Sequence, residues 1–147
     1  MNEFEGPVTY WEYKTENLQK ENKYQGETAS NVKEYSPTFL LPLDSILGNN
    51  TERIDVLTKV FCRVDKINEA KLVISLENNG KAYKWEAVDI KKDIKAFNNW
   101  CPVTFELTIK TEEIKKNSLL KIYVLNTDDT SLQIDNFEVK LNKIVRN

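Results

Sequence analysis

From residue 51 onward the chain alternates apolar and polar positions with period 2, the signature of half-buried β-strands. Between Arg53 and Asp65 the even positions read Ile54, Val56, Thr58, Val60, Cys62 and Val64. The odd positions read Arg53, Asp55, Leu57, Lys59, Phe61, Arg63 and Asp65. Leu72, Ile74 and Leu76 continue the pattern, and Asn78-Asn79-Gly80 then supplies residues that tolerate the positive φ of a tight hairpin turn. The return strand carries Tyr83, Trp85 and Ala87. Val103, Phe105, Leu107 and Ile109 mark a further strand, as do Leu120, Ile122 and Val124. In the last strand Leu132 and Ile134 occupy even positions, but Phe137, Val139 and Leu141 follow on odd ones. That slip of phase at Asp135-Asn136 predicts a β-bulge.

Strands recurring roughly every 10 to 15 residues, with no long helical pattern between them, predict an all-β chain folded as a two-sheet antiparallel sandwich. Its core should include Ile54, Val56, Val60, Leu72, Ile74, Leu76, Val103, Phe105, Leu107, Ile122 and Val124. Helix is scarce. Residues 42–48 suit a single turn capped by Asp44 and stopped by Gly48. Ile90, Ile94 and Phe97 have the spacing of another short helix. The first 50 residues are less regular and rich in aromatics, with a strand candidate at 26–32. Neither a repeat nor an internal boundary is visible, so residues 1–147 read as one domain.

Composition narrows function mainly by exclusion. Among 147 residues there is no histidine, which removes Ser-His-Asp and Cys-His catalysis and nearly every catalytic zinc site. The 21 basic and 23 acidic side chains are interspersed, for a net charge of −2. The concentrated basic footprint of a nucleic-acid binder is missing. No apolar run is long enough for a membrane-spanning helix, and no basic-then-apolar leader follows Met1. Cys62 and Cys101 are too few for a disulfide framework. Both fall in register with apolar neighbours, which favours buried thiols, with a single bridge as the alternative. Asn49-Asn50-Thr51 matches the glycosylation sequon, a pattern short enough to arise by chance.

Four segments taken together resemble a known family. Asn2-Glu3-Phe4-Glu5 followed by Trp11 resembles the opening of carbohydrate-binding-module jelly rolls with a galactose-binding-like fold. Residues 24–30, Tyr-Gln-Gly-Glu-Thr-Ala-Ser, look like their small-residue turn and second strand, although Gln25 replaces a small residue. Asn99-Trp100-Cys101-Pro102-Val103 is similar to the run into a core strand. Ile134-Asp135-Asn136-Phe137-Glu138-Val139 is similar to the closing strand, with Asn136 in place of a second acid. The resemblance implies a jelly roll and a non-catalytic module that binds an oligo- or polysaccharide. It also implies an extracellular or cell-envelope setting if the chain belongs to an exported protein. A structural calcium is implied as well, held where the first and last strands meet by Glu5, Asp135 and a carbonyl near Gly26.

The residues themselves say where a sugar site would lie. Sugar recognition stacks an aromatic ring on the apolar face of a pyranose, beside polar side chains that bond its hydroxyls. By alternation Phe61 and Arg63 point away from the core, as does Tyr123, so a site carrying Phe61, Arg63 and Tyr123 on one outward face is expected. The competing reading is that the first 50 residues cover that face. Trp85 shares its parity with Tyr83 and is expected in the core, and Trp100 is expected to be structural. Trp11 fits either a sandwich edge or an end-loop site. Two other functions stay open: a protein-interaction or spacer domain without sugar binding, and a jelly-roll glycoside hydrolase. The hydrolase would require two of Glu77, Glu86 and Glu106 to converge.

Overall fold

The computed structural model describes residues 2–3, 11–12, 30–32, 34–36 and 38–146. Its strands are β1 (Asn2–Glu3), β2 (Trp11–Glu12), β3 (Ser30–Asn31), β4 (Glu34–Tyr35), β5 (Thr38–Pro42), β6 (Thr51–Val64), β7 (Lys71–Asn78), β8 (Lys81–Asp89), β9 (Cys101–Lys110), β10 (Leu119–Asn126) and β11 (Leu132–Val145). All pair antiparallel, in two sheets. The first runs β1-β11-β6-β9, with β3 also on β11. The second runs β2-β5-β10-β7-β8, with β4 also on β10.

Alternation explains how the sheets meet. The even residues of β6, β7 and β10 and the odd residues of β9 turn inward, and one apolar cluster fills the space between the sheets. Ile54, Val56, Val60, Leu72, Ile74, Leu76, Val103, Ile122 and Val124 are all buried in it, as expected. Phe105 and Leu107 depart from expectation: they pack against the cluster but keep some solvent contact. They lie on β9, an edge strand of the first sheet, where no further strand among the described residues shields them.

The expected phase slip is present. The β6–β11 register shifts between Asp135 and Glu138, and Asn136 takes φ 49°, a left-handed conformation that Asn tolerates better than most residues. One extra residue returns Phe137 and Val139 to the interior, both with no solvent exposure. Buried Thr58 is satisfied at the same place, its hydroxyl donating to the Glu138 carbonyl at 3.1 Å.

The hairpin turn is also as expected, with Asn79 at φ 53° and Gly80 at φ 78° between paired Asn78 and Lys81. The helical segments shrink to 3₁₀ turns at Leu43–Ser45 and Ile90–Asp93. Asp44 does not cap its turn; its carboxylate instead accepts from the Asn117 N–H at 3.1 Å, tying that turn to the residues before β10. Of the strand candidate at 26–32, Ser30–Asn31 is a strand; 26–29 lie outside the described residues.

Candidate functional site

The structure divides the trio expected on one outward face. Phe61 and Arg63 lie on β6 in the first sheet, and Tyr123 lies on β10 in the second. Outward means opposite directions for the two sheets, so the core separates Tyr123 from the other two. On the first sheet Arg63 is exposed, whereas Phe61 is partly buried with the Lys59 ammonium 5.0 Å from its ring centre. A groove of about 360 Å³ on the same face is lined by Asp55, Leu57, Glu106, Thr108 and Asn142 among others, with no aromatic ring among the described lining residues.

The outer face of the second sheet carries the aromatic row. Trp85 is expected inward on simple hairpin counting. From the Asn79-Gly80 turn, Asn78 faces Lys81 and Glu77 faces Ala82, so Trp85 would fall opposite core residue Ile74. A bulge after that rung admits Tyr83 as an extra residue, and from there Leu76 faces Lys84 and Ser75 faces Trp85. Tyr83 keeps its place against the core, its hydroxyl within 2.6 Å of the Ser118 hydroxyl. Trp85 is thrown to the outer face, where it is 45% exposed. The same shift turns Lys84 and Glu86 toward the inner side of edge strand β8, an arrangement that discourages edge-to-edge pairing.

On that face the Trp85 indole N–H donates to the Tyr123 hydroxyl at 3.2 Å. The bond runs from β8 to β10 across the intervening β7. Beneath it, the outward-pointing Val73 and Ser75 are buried, and the Ser75 hydroxyl has no hydrogen-bond partner among the described residues. On the other side of Tyr123 stands Tyr35, 39% exposed, with ring centres 5.7 Å apart in an edge-to-face arrangement. Ser36 fixes Tyr35 against β10: its N–H donates to the Val124 carbonyl at 2.9 Å and its hydroxyl accepts from the Val124 N–H at 2.8 Å.

Charged pairs flank the row. Lys121, two residues from Tyr123 on the same face, lies 3.2 Å from Glu77, and Lys71 bonds Asp89 on β8. Burial pushes the Tyr123 phenol above its ordinary value, against the opposing effect of the indole donor, so it is neutral throughout the physiological range. Chemically, the row offers partly exposed aromatic rings, with an ammonium and carboxylates at its margin for hydroxyl groups. Sequence reading placed Tyr123 outward, as observed, but placed Trp85 inward and did not single out Tyr35. The signal for Trp85 was the pair of charges at Lys84 and Glu86, which suits the inner side of an edge strand; Tyr35 lies in the irregular first 50 residues.

The acids weighed for hydrolysis are dispersed. Glu77 lies on the outer face of the second sheet, Glu86 on its inner side opposite Ile74, and Glu106 on the outer face of the first sheet. Trp100 is 39% exposed beside the first residue of β9. The Trp11 backbone pairs with Phe39 on β5.

Of the calcium ligands, Glu5 and Gly26 lie outside the described residues. Asp135 sits at the β11 bulge, partly buried, and accepts from the Asn136 N–H at 2.8 Å. Desolvation raises its carboxyl above the usual range. To one side β11 pairs with Asn2–Glu3 and to the other with Ser30–Asn31. Only Glu3 and Ser30, two residues before Glu5 and four after Gly26 in the sequence, are thereby shown to pair with β11 on either side of the bulge. A partly desolvated carboxylate beside irregular backbone suits a hard cation with oxygen ligands, so Asp135 fits the group. No cluster of three or more acidic or sulfur ligands occurs among the described residues.

With this geometry established, comparison with solved structures decides the fold. A structure described as "CBM4 structure and function" aligns over 95% of this chain and 97% of its own, with a TM-score of 0.55 at 11% identity. The CBM22-1 xylan-binding domain from Paenibacillus barcinonensis Xyn10C aligns over 97% and 93%, with a TM-score of 0.51 at 19% identity. The fold is the jelly-roll β-sandwich of carbohydrate-binding modules. Neither protein-family models nor curated protein sequences give a match. At these identities the likeness establishes the carbohydrate-binding-module fold alone. No described helix of this jelly roll is long and apolar enough to cross a membrane.

Proposed function

We propose that the chain is a non-catalytic carbohydrate-binding module that takes an oligo- or polysaccharide across the outer face of the second sheet. One observation carries the reading: Tyr35, Tyr123 and Trp85 form a contacting row of rings on an outward sheet face, two of them well exposed. The rings cover the outward-pointing Val73 and Ser75, yet Trp85 and Tyr35 stay well exposed, more than that cover requires, and their apolar surfaces match the apolar faces of pyranose rings. Lys121, Glu77, Lys71 and Asp89 are placed to bond the hydroxyls around them. The CBM22-1 neighbour is described as xylan-binding, which makes xylan the first polysaccharide to try. Carbohydrate-binding modules commonly belong to exported proteins, which supports an extracellular or cell-envelope setting. A structural calcium at Asp135, completed by Glu5 and a carbonyl near Gly26, belongs to the same reading. It would tie the first and last strands together without taking part in sugar contact.

The test is a glycan array followed by calorimetric titration of soluble xylan and of the array's best binders. Binding should be modest, micromolar to millimolar. Trp85→Ala and Tyr123→Ala should each weaken it about fivefold to tenfold, as expected for loss of roughly 1 kcal/mol or slightly more of stacking. Phe61→Ala, on the opposite face, should leave affinity unchanged. Loss of binding in Phe61→Ala with Trp85→Ala unaffected would move the site to the first sheet. No binding to any glycan would return the chain to the interaction or spacer reading.

A further inference from the structure

Cys62 and Cys101 occupy directly opposed positions on β6 and β9, at the last rung of that ladder. Both are inward, buried and free. Directly opposed residues of an antiparallel pair carry their side chains on the same face, with Cα atoms about 4.5 or 5.5 Å apart according to the rung type. Both separations fall inside the range of about 4.4–6.8 Å that a disulfide spans. The rung is also where a link would act. Cys101 opens β9 after the exposed stretch 95–100, and Cys62 lies two residues from the end of β6. The Cys101 thiol points at the carbonyls of Asn99 and Ala96, 3.6 and 3.8 Å away. These are weak contacts that a change of rotamer surrenders at little cost.

We propose that Cys62 and Cys101 form an intramolecular cross-strand disulfide when the chain folds in an oxidising compartment, stapling β9 to β6 at the open end of the first sheet. The oxidant is a small-molecule disulfide such as oxidised glutathione. A thiolate of one cysteine attacks it, forming a mixed disulfide and releasing one thiol. The sulfur of the second cysteine, losing its proton, then attacks the protein-side sulfur and expels the second thiol. The two cysteines lose two electrons and two protons in total, and the small disulfide becomes two thiols. Burial holds the Cys62 thiol protonated, with Cys101 and Asp93 adding to the effect. Pairing therefore belongs to folding, before the core closes, and the finished fold protects the bond from reduction.

The full chain is denatured, then refolded in a reduced/oxidised glutathione buffer and, in parallel, under a strong reductant. Free thiols are counted after denaturation, and intact mass and oligomeric state are recorded. The expected product is monomeric, lacks free thiols and glutathione adducts, and has lost the mass of two hydrogens. Its melting temperature should exceed that of the reduced form by about 5–10 °C. A Cys62→Ala/Cys101→Ala double variant should fold and melt identically in both buffers, showing that the shift comes from the bond. Two free thiols after oxidative refolding would overturn the proposal, as would glutathione adducts, disulfide-linked dimers or a bridged form no more stable than the reduced one.

Discussion

The bulge at Asp135-Asn136 decides which side chains of the last strand enter the core, and replacing Phe137 by Ala tests it. Phe137 has no solvent exposure and belongs to the inter-sheet cluster. Truncating a fully buried Phe removes its transfer free energy and leaves a cavity, together costing about 3–5 kcal/mol. Against a total stability of about 5–15 kcal/mol that is a large share. For a domain of this size it corresponds to a fall of roughly 10–15 °C in melting temperature. The assay is urea unfolding followed by tryptophan fluorescence and circular dichroism, with the slope compared between variants so that a change in the unfolded state is not mistaken for a change in packing. A companion variant sharpens the result. Asn136 sits at φ 49°, a conformation that costs most L-residues about 1–2 kcal/mol. Asn136→Gly should therefore be neutral or slightly stabilising, and Asn136→Val should destabilise by about 1–2 kcal/mol. Had β11 continued in unbroken alternation from Ile134, Asn136 would face the core and Phe137 the solvent. A cost below about 1 kcal/mol for Phe137→Ala would refute the bulge reasoning.

If Asp135 helps to hold calcium, melting in excess calcium should occur at higher temperature than in chelator, because a ligand bound only by the native state stabilises it. Asp135→Asn should abolish the difference, and superimposable curves for the unaltered chain would end the calcium reading. Lys71 holds the Asp89 carboxyl below its ordinary value through a hydrogen bond and its charge. The Lys110 backbone N–H, aided by Lys84, does the same for Glu113. A depressed carboxyl contributes stability that is fully present above its unfolded pKa and is lost as pH falls through the folded one. Melting temperature should accordingly be insensitive to these two groups near neutrality and fall on acidification below about pH 4. An NMR titration that places either carboxyl at or above the ordinary value would contradict this.

What the sequence determined by itself was whatever depends on near neighbours. Period-2 alternation located the strands, because successive side chains of a strand must face opposite ways. Asn79-Gly80 marked its turn because those residues accept positive φ, and the phase slip at Asp135-Asn136 was visible as a change of parity within one strand. The buried character of both cysteines followed from parity as well. Tertiary structure alone decided the rest. Phe61 and Tyr123 are both outward by parity, but parity does not say which sheet a strand joins, and β6 and β10 joined different ones. Phe105 and Leu107 have core parity, yet β9 became an edge strand and left them partly exposed. A single extra residue at Tyr83 reversed the facing of Trp85 and so created the aromatic row. The opposition of Cys62 and Cys101 is likewise a matter of register between strands distant in sequence. Facing within a strand is set by backbone geometry over a few residues. Sheet membership, edge position and register are set by which distant apolar faces bury one another best, and that competition is settled only when the whole chain packs.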